Sequence, residues 1–233
     1  FMYRQEELKE LEERIGYVFV HKELLYQALT HSSFSNEQKI NKYKNYERLE
    51  FLGDAVLELL SSRFFYETYP EMSEGQMTRL RSSMVCEPAL AFCARDISLG
   101  KYILLGKGEE ATGGRKRDSI ISDVMEALIG AIYLDGGIRK ADRFVKKFIL
   151  SDLENKQLFY DSKTILQEKV QKAGKELTYE LVEETGPEHD KIFTVEVVMG
   201  DKVLGKGSGR TKKAAEQQAA YEALKKGIHH TCI

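Results

Sequence analysis

Through the first two thirds of the chain, apolar residues return every three or four positions. Leu49, Leu52, Val56 and Leu59 form one such series, and Val124, Leu128, Ala131 and Ile132 form another. That spacing lines one side of a helix, so the stretch from Glu6 to about Leu153 is expected to be almost wholly helical. Breaks are expected at residues 30–33, 69–73, 106–114 and 135–137, where proline, glycine or helix-capping residues gather. Ser73 reads as the N-cap of a helix that begins with Glu74. Ser119 or Ser122 reads as the opening of the helix that carries Asp123.

Beyond a polar stretch at residues 154–160 the period changes. A helix is expected over residues 162–173, followed by alternation: Phe193, Val195 and Val197 face one way while Thr194 and Glu196 face the other. Alternation of this kind marks a half-buried strand. Residues 179–184 and 202–207 are weaker strand candidates on either side, and an alanine-rich helix at 211–226 closes the chain. The expected architecture is an all-α domain over residues 1–153, a linker at 154–160, and a small α+β domain of order α-β-β-β-α over 161–228. No internal repeat links the two halves.

Composition narrows the classes. The 233 residues are 42% hydrophobic and 31% charged, which supports folded domains over disorder. Lys and Arg number 35 against 37 Asp and Glu, so the net charge of −2 does not announce a nucleic-acid binder and local distribution must decide. Cys86, Cys93 and Cys232 are odd in number and lack C-x-x-C spacing, which argues against a disulfide framework and a zinc site. Arg4, Glu6, Glu7, Lys9 and Glu10 leave no signal-peptide pattern, and no apolar run approaches the ~20 residues that span a bilayer. A reduced, cytoplasmic protein without a membrane segment is expected, and Phe1 ahead of Met2 reads as an addition to the natural start.

The most informative segment is Glu47-Arg-Leu-Glu50-Phe51-Leu-Gly53-Asp54-Ala-Val-Leu57. Positions i, i+3 and i+7 fall close to one line along a helix, so Glu47, Glu50 and Asp54 share a face that repels itself. Like charges so spaced cost a helix about 0.2–0.5 kcal/mol per pair unless a cation sits between them. Asp123 and Glu126 form a second pair at i and i+3, inside the otherwise apolar segment 120–134. If the two helices pack together, four carboxylates converge as hard oxygen donors of the kind Mg²⁺ prefers. Such a cluster can polarise a phosphate, activate water and stabilise a leaving alkoxide. Spacing alone leaves open the alternative of an ordinary solvated acidic stripe.

Other chemistry is weaker. His31, Ser32 and Ser33 are adjacent, but no G-x-S-x-G elbow exists, and the trio reads better as a capped turn than as a nucleophile with its base. Cys86 and Cys93, seven apart on one expected helix, read as core residues. Residues 113–117, Gly-Gly-Arg-Lys-Arg, could cradle a phosphate or form a solvated loop, and they lack the Walker spacing.

Glu47–Leu57 resembles the signature segment of ribonuclease III, and Asp123-Val-Met-Glu126-Ala-Leu-Ile-Gly130 resembles that family's second catalytic helix. The likeness runs from about Leu8 to Lys226 and includes Leu29-Thr-His-Ser-Ser33 and Ser73-Glu74-Gly-Gln-Met77. It implies that Glu50, Asp54, Asp123 and Glu126 are the metal-binding carboxylates, with Asp54 and Glu126 catalytic, and that Mg²⁺, for which Mn²⁺ can substitute, is the cofactor, with no organic one. Glu47 and Glu74 occupy two further acidic positions near the family's active site and RNA-contacting rim.

The second domain has its own signals. Lys202, Lys206, Arg210, Lys212 and Lys213 follow one another without an acid between them, and the last two open a helix whose N–H groups and dipole attract phosphate. With the α-β-β-β-α order, Gly205-Lys-Gly-Ser-Gly-Arg-Thr-Lys-Lys-Ala-Ala215 resembles a double-stranded RNA-binding domain, a fold that reads A-form shape across two minor grooves. By position, Thr164, Gln167 and Glu168 would face one minor groove and His189 would enter the next. Arg210, Lys212 and Lys213 would hold phosphates. Glu216 stands where many such domains carry another lysine, which is expected to weaken the clamp in isolation.

The resemblance therefore implies an endonuclease that hydrolyses double-stranded RNA with metal-activated water, leaving 5′-phosphate and 3′-hydroxyl ends with short 3′ overhangs. It implies a homodimer through the nuclease domain, with Phe51 a candidate interface residue, and a role in processing ribosomal, messenger and other structured RNA. Two rivals are a duplex-binding protein that does not cut and a phosphohydrolase of small nucleotides. A salt titration separates the latter, because duplex binding weakens steeply as counterions are released.

Overall fold

The structure, a computed structural model, describes residues 2–39, 44–152, 162–186, 191–209 and 211–226. The chain divides into two compact units, Phe1–Ser151 and Asp152–Ile233.

Among the described residues the first unit is helical throughout: α1 (Met2–Ile15), α2 (Lys22–Ala28), α3 (Ser32–Glu37), α4 (Glu47–Thr68), α5 (Glu74–Val85), α6 (Glu87–Asp96), α7 (Lys107–Ala111), α8 (Asp118–Gly136) and α9 (Ile138–Phe148), with 3₁₀ turns at Leu99–Tyr102 and Gly114–Lys116. No helix among them is long and apolar enough to cross a membrane. Helix α8 is the axis of the core. Val124, Met125, Ala127, Leu128, Ile129, Ala131 and Ile132 are shut away from water on almost every side, and α2, α4, α6 and α9 pack around them. A helix with so wide an apolar surface is stable only when wrapped in this way.

The tightest packing is between α4 and α8, and glycine permits it. A Cβ built on Gly53 would lie 1.8 Å from the Glu126 carbonyl oxygen, and one on Gly130 would lie 2.3 Å from the Leu49 carbonyl oxygen. The two backbones therefore touch where any side chain would separate them. Glycine inside a helix costs roughly 1 kcal/mol relative to alanine, and here that cost is offset by close contact between two long helices.

Helix boundaries follow local chemistry. Ser73 caps α5 as expected: its hydroxyl accepts from Gln76 N at 3.4 Å while Gln76 Oε1 accepts from Ser73 N at 2.9 Å, a reciprocal capping box. The expected opening of α8 at Ser119 or Ser122 is corrected. The helix starts at Asp118, after an extended Arg117, and an acid in the first turn suits the dipole there. Ser122 is buried inside it and donates to the Ser119 carbonyl at 2.9 Å. The single helix expected to carry Cys86 and Cys93 is two helices, with Cys86 in extended conformation between α5 and α6. Pro88 forces the break, because a continuous helix would bring its ring against the Met84 carbonyl and leave that carbonyl without its N–H. Cys93 is buried as expected, and Cys86 is half-buried.

The second unit has the expected order. Helix α10 (Ser162–Lys172) precedes an antiparallel sheet of order β1 (Thr178–Thr185), β2 (Ile192–Met199) and β3 (Lys202–Gly209), and α11 (Lys212–Lys225) closes it. Leu166 and Val170 of α10 meet Val197 and the alanine face of α11, Ala219, Ala220 and Ala223, in one core. Gly205 and Gly207 let α11 lie directly on β3, since a Cβ on either would come within 2.3 Å of Ala219 backbone atoms. The alternation expected in β2 holds for Val195 and Val197 but not for Thr194, which is buried with its hydroxyl 3.0 Å from Ser208 Oγ. As the central strand, β2 is covered by cross-strand neighbours that alternation cannot reveal. The pairing with β3 also slips between Val197 and Val198, burying both.

Candidate active site and duplex-binding surface

Because α4 and α8 meet at Gly53 and Gly130, the carboxylates within two turns of these glycines are drawn into a shared field. Glu50 and Asp54 come from α4, Asp123 and Glu126 from α8. Burial pushes the Glu50 carboxyl up to about 7, reinforced by the negative charges of Asp123, Glu47 and Asp54. Glu126 rises to about 8, again first through burial and then through Asp54, Glu50, Asp123 and Glu58. Asp123 is also raised by burial, against a hydrogen bond from the Tyr46 hydroxyl. These four acids, and Glu47 with them, have no ion pair among the described residues, whereas Glu58 on the same helix is paired with Arg81 at 3.0 Å. Glu50, Asp123 and Glu126 are half-buried and Asp54 and Glu47 are exposed, and carboxylates that repel one another and lack a counterion are poised to take a cation. The donor set, all carboxylate oxygen, fits a hard divalent ion. Among the described residues no three His, Cys, Asp or Glu side chains are grouped closely enough to hold a metal ion by themselves. An open arrangement suits Mg²⁺, which keeps several waters and shares its remaining positions with phosphate.

Buried Tyr46 and half-buried His31 stand near Asp123. Tyr46, just ahead of α4, donates its hydroxyl to Asp123 Oδ2 at 3.3 Å, and its phenol pKa is raised by burial and by the charges of Asp123 and Glu50. The His31 ring stands 5.6 Å from the Tyr46 ring, and burial holds its pKa below the ordinary value. The turn at His31 is a helix cap: its Nδ1 accepts from Ser33 N at 3.1 Å, and the Ser33 hydroxyl accepts from Gly106 N at 2.9 Å. Although Ser33 Oγ also lies 2.7 Å from His31 Nδ1, both groups are committed to holding the turn. The Gly113–Arg117 loop is likewise structural. The Arg115 guanidinium donates to the carbonyls of Gly100, Lys101 and Ile103 at 2.9, 3.0 and 2.8 Å and pairs with Glu110, so it has no free edge for a phosphate.

Glu47 is exposed at the start of α4, within range of Glu50. Glu74 is placed elsewhere. It begins α5, accepts from the Thr78 hydroxyl at 3.0 Å, and lines a groove with Leu59, Tyr66, Met77 and Arg81. Nothing in the shifts of Glu50 and Glu126 comes from Glu74, so a single chain does not gather it with the others.

On the second unit, Thr164, Gln167 and Glu168 are exposed on α10, and Lys212 and Lys213 are exposed in the first turn of α11. Thr211 caps that helix, its hydroxyl accepting from Ala214 N at 3.1 Å. His189 and Arg210 lie outside the described residues. Glu216 does not sit idle in place of a lysine: it is ion-paired with Lys163 of α10, whose ammonium also lies 4.8 Å from the Tyr179 ring centroid. That pair pins the two helices together on the sheet.

Residues 21–153 match the family model described as Ribonuclease-III-like, and residues 162–226 match that of the double-stranded RNA binding motif. The chain belongs to the ribonuclease III family. It is an endonuclease that cuts double-stranded RNA and carries its own duplex-binding domain. Ribonuclease 3 of Bacillus licheniformis is 49% identical over 233 residues, covering 99% of this chain and 94% of the relative. Ribonuclease 3 of Caldanaerobacter subterraneus subsp. tengcongensis is 51% identical over 221 residues, covering 93% and 96%. A solved nuclease domain of ribonuclease III from Campylobacter jejuni, described for flexibility in a region involved in its dimer formation, matches with a TM-score of 0.56 at 39% identity. That match covers 61% of this chain and 99% of the Campylobacter domain. The family's two-part organisation is the one found here, a helical nuclease domain followed by a three-stranded sheet between two helices.

Reading the sequence singled out the acids but not the residues that bring them together. Gly53 and Gly130 carried a usable signal, since an unforced glycine within a helical pattern points to close packing. Tyr46 carried none, because its reach to Asp123 depends on how two helices cross.

Proposed function

We propose that Glu50, Asp54, Asp123 and Glu126 hold Mg²⁺, or Mn²⁺ in its place, and that the duplex is hydrolysed there to 5′-phosphate and 3′-hydroxyl ends. The observation that carries this reading is the raised, mutually repelling state of Glu50 and Glu126 with no counterion beside them. When bound, the metal would supply charge neutralisation at the scissile phosphate and a lowered pKa for water. The chain's own part is to present ionised carboxylates, to keep Asp123 oriented through Tyr46, and to hold the four acids on two helices locked at Gly53 and Gly130. No organic cofactor is needed for this chemistry.

The nuclease unit also acts as a homodimer in this proposal. Helix α4 is apolar on two sides. Leu49, Val56, Leu57 and Leu60 are buried, while Phe51, Leu59 and Tyr66 are 81%, 60% and 73% exposed on the opposite side. At 100° per residue those three fall within about 80° of one another, and an exposed apolar stripe of this kind is a site for association. Two-fold pairing sets two acidic sites along one duplex, one for each strand, and staggered cuts would leave short 3′ overhangs. Processing of ribosomal, messenger and other structured RNA precursors in the cytoplasm is the cellular role this activity fits.

The test is cleavage of a long labelled duplex with Mg²⁺, beside Glu126→Gln and a single-stranded control. Short duplex products that vanish with EDTA, and that fall on the order of 10²–10³-fold or more with Glu126→Gln while binding persists, are expected. Duplex cleavage undiminished by Glu126→Gln would remove Glu126 from the chemistry, and binding without cutting at any divalent ion would leave a duplex-binding protein.

A further inference from the structure

We propose that the outer face of α9 is a second phosphate-contacting surface, which takes a stretch of the RNA duplex away from the acidic site. Helix α9 has two sharply separated faces. Ala141, Phe144 and Val145 are buried against the core, while Arg139, Lys140, Arg143 and Lys147 are exposed and Lys146 is half-exposed. At 100° per residue, those five cations fall within about 120° of one another and run about 12 Å along the axis. The stripe is thus continuous and faces outward, and the packed apolar side fixes its direction.

Its charge is not absorbed within the unit. Asp142 is the one acid of α9, and it is held by Arg63 at 2.7 Å and Lys146 at 3.1 Å. Among the described residues, Arg139, Lys140, Arg143 and Lys147 have no carboxylate partner; Lys147 lies 4.7 Å from the Phe148 ring centroid instead. Helix stability accounts for only part of this. Lys146 and Lys147 stand in the last turn, where the helix dipole favours cations, but Arg139 and Lys140 stand in the first turn, where it opposes them. Arg139 and Arg143, and Arg143 and Lys147, are like-charged neighbours at i and i+4, a spacing that weakens a helix. A polyanion laid along the stripe offsets both costs, and arginine offers phosphate a two-pronged hydrogen-bonding edge. The chain's substrate is such a polyanion. The stripe is also remote from the carboxylates, because Asp142 at its edge is tied to Arg63, about 13 Å further along α4 than Asp54. It would therefore meet a different part of the duplex.

The proposal rests on double-stranded RNA as substrate and not on the assignment of the metal site. In the full chain with EDTA in place of Mg²⁺, affinity for a long RNA duplex is measured against KCl concentration for the parent, for Arg139→Gln/Lys140→Gln/Arg143→Gln, and for a charge-matched control, Lys9→Gln/Lys39→Gln/Lys107→Gln. Circular dichroism confirms that each is folded. The α9 variant is expected to lower the log–log salt slope by about 2–3 and the affinity at ~0.1 M salt by about tenfold or more, with the control close to the parent. An unchanged slope, or an equal loss in the control, overturns the proposal. Failure of the parent itself to bind the duplex overturns the proposal together with its premise, whereas cutting that persists in EDTA counts against the metal site alone.

Discussion

Three paired acids of the duplex-binding unit contrast with the acidic cluster of the nuclease unit. In the duplex-binding unit, Glu184, Glu196 and Glu216 are each paired with a lysine, Lys191, Lys206 and Lys163. In the nuclease unit, Glu50, Asp54, Asp123 and Glu126 face one another with no cation beside them, although the same unit satisfies its most buried carboxylate fully. Glu12 accepts from Phe19 N at 2.7 Å and from Lys22 Nζ at 2.6 Å. The fold can evidently supply a counterion where a carboxylate is structural. Where it withholds one from four acids at a helix crossing, the unrelieved repulsion is a cost to stability, and that cost is what supports the metal site proposed above.

The contrast can be broken most severely at the crossing itself. Gly53→Ala places a methyl group against the Glu126 carbonyl, and is expected to cost about 3 kcal/mol and to abolish cleavage even where the protein remains folded. Chemical denaturation beside an activity assay checks this, and a stable, active variant would show that close approach is not what assembles the acids. Next is Tyr46→Phe, which removes only the hydroxyl bonded to Asp123. Calorimetry with Mn²⁺ should show about tenfold weaker binding at unchanged secondary structure; equal affinity would mean that Asp123 needs no such support.

The third effect is one of pH. Glu50 and Glu126 hold protons in the folded, metal-free protein up to about 7 and about 8, well above the ordinary 4.5. The folded state therefore binds more protons than the unfolded state across that window, and stability must fall as pH rises from about 5 to about 8. After allowance for solvent screening at partly exposed groups, roughly 1–2 kcal/mol is at stake. Thermal unfolding in EDTA should show the decline and Glu126→Gln should flatten it, while Mg²⁺ should stabilise the wild type progressively more as pH rises. A flat profile would mean that the acids do not repel as the geometry implies. The smallest effect is expected in the other unit, where Glu216→Gln breaks a partly exposed pair and should change stability by no more than about 0.5 kcal/mol. By freeing Lys163 it should also raise duplex affinity slightly and steepen its salt dependence. A large loss of stability would show that the pair is essential to the domain.

Much of this molecule was legible along the chain. Helical spacing marked the first unit, the switch to alternation marked the second, and the acids at Glu47, Glu50 and Asp54 and at Asp123 and Glu126 stood out because charges interrupt apolar periods. The errors were local and have named causes. Pro88 split an expected helix at Cys86, and a central strand buried Thr194 where alternation placed it outward.

What the sequence determined by itself is what depends on near neighbours: which segments are helix or strand, where caps fall, and which acids share a face, since periodicity and capping act over one or two turns. What only the tertiary structure decided is what depends on residues far apart in the chain. Gly53 against Glu126, Tyr46 against Asp123, Glu216 against Lys163, and the separation of Glu74 from the other acids are all of this kind. Packing sets these distances. A Coulombic field between carboxylates more than seventy positions apart exists only once two glycines let their helices touch.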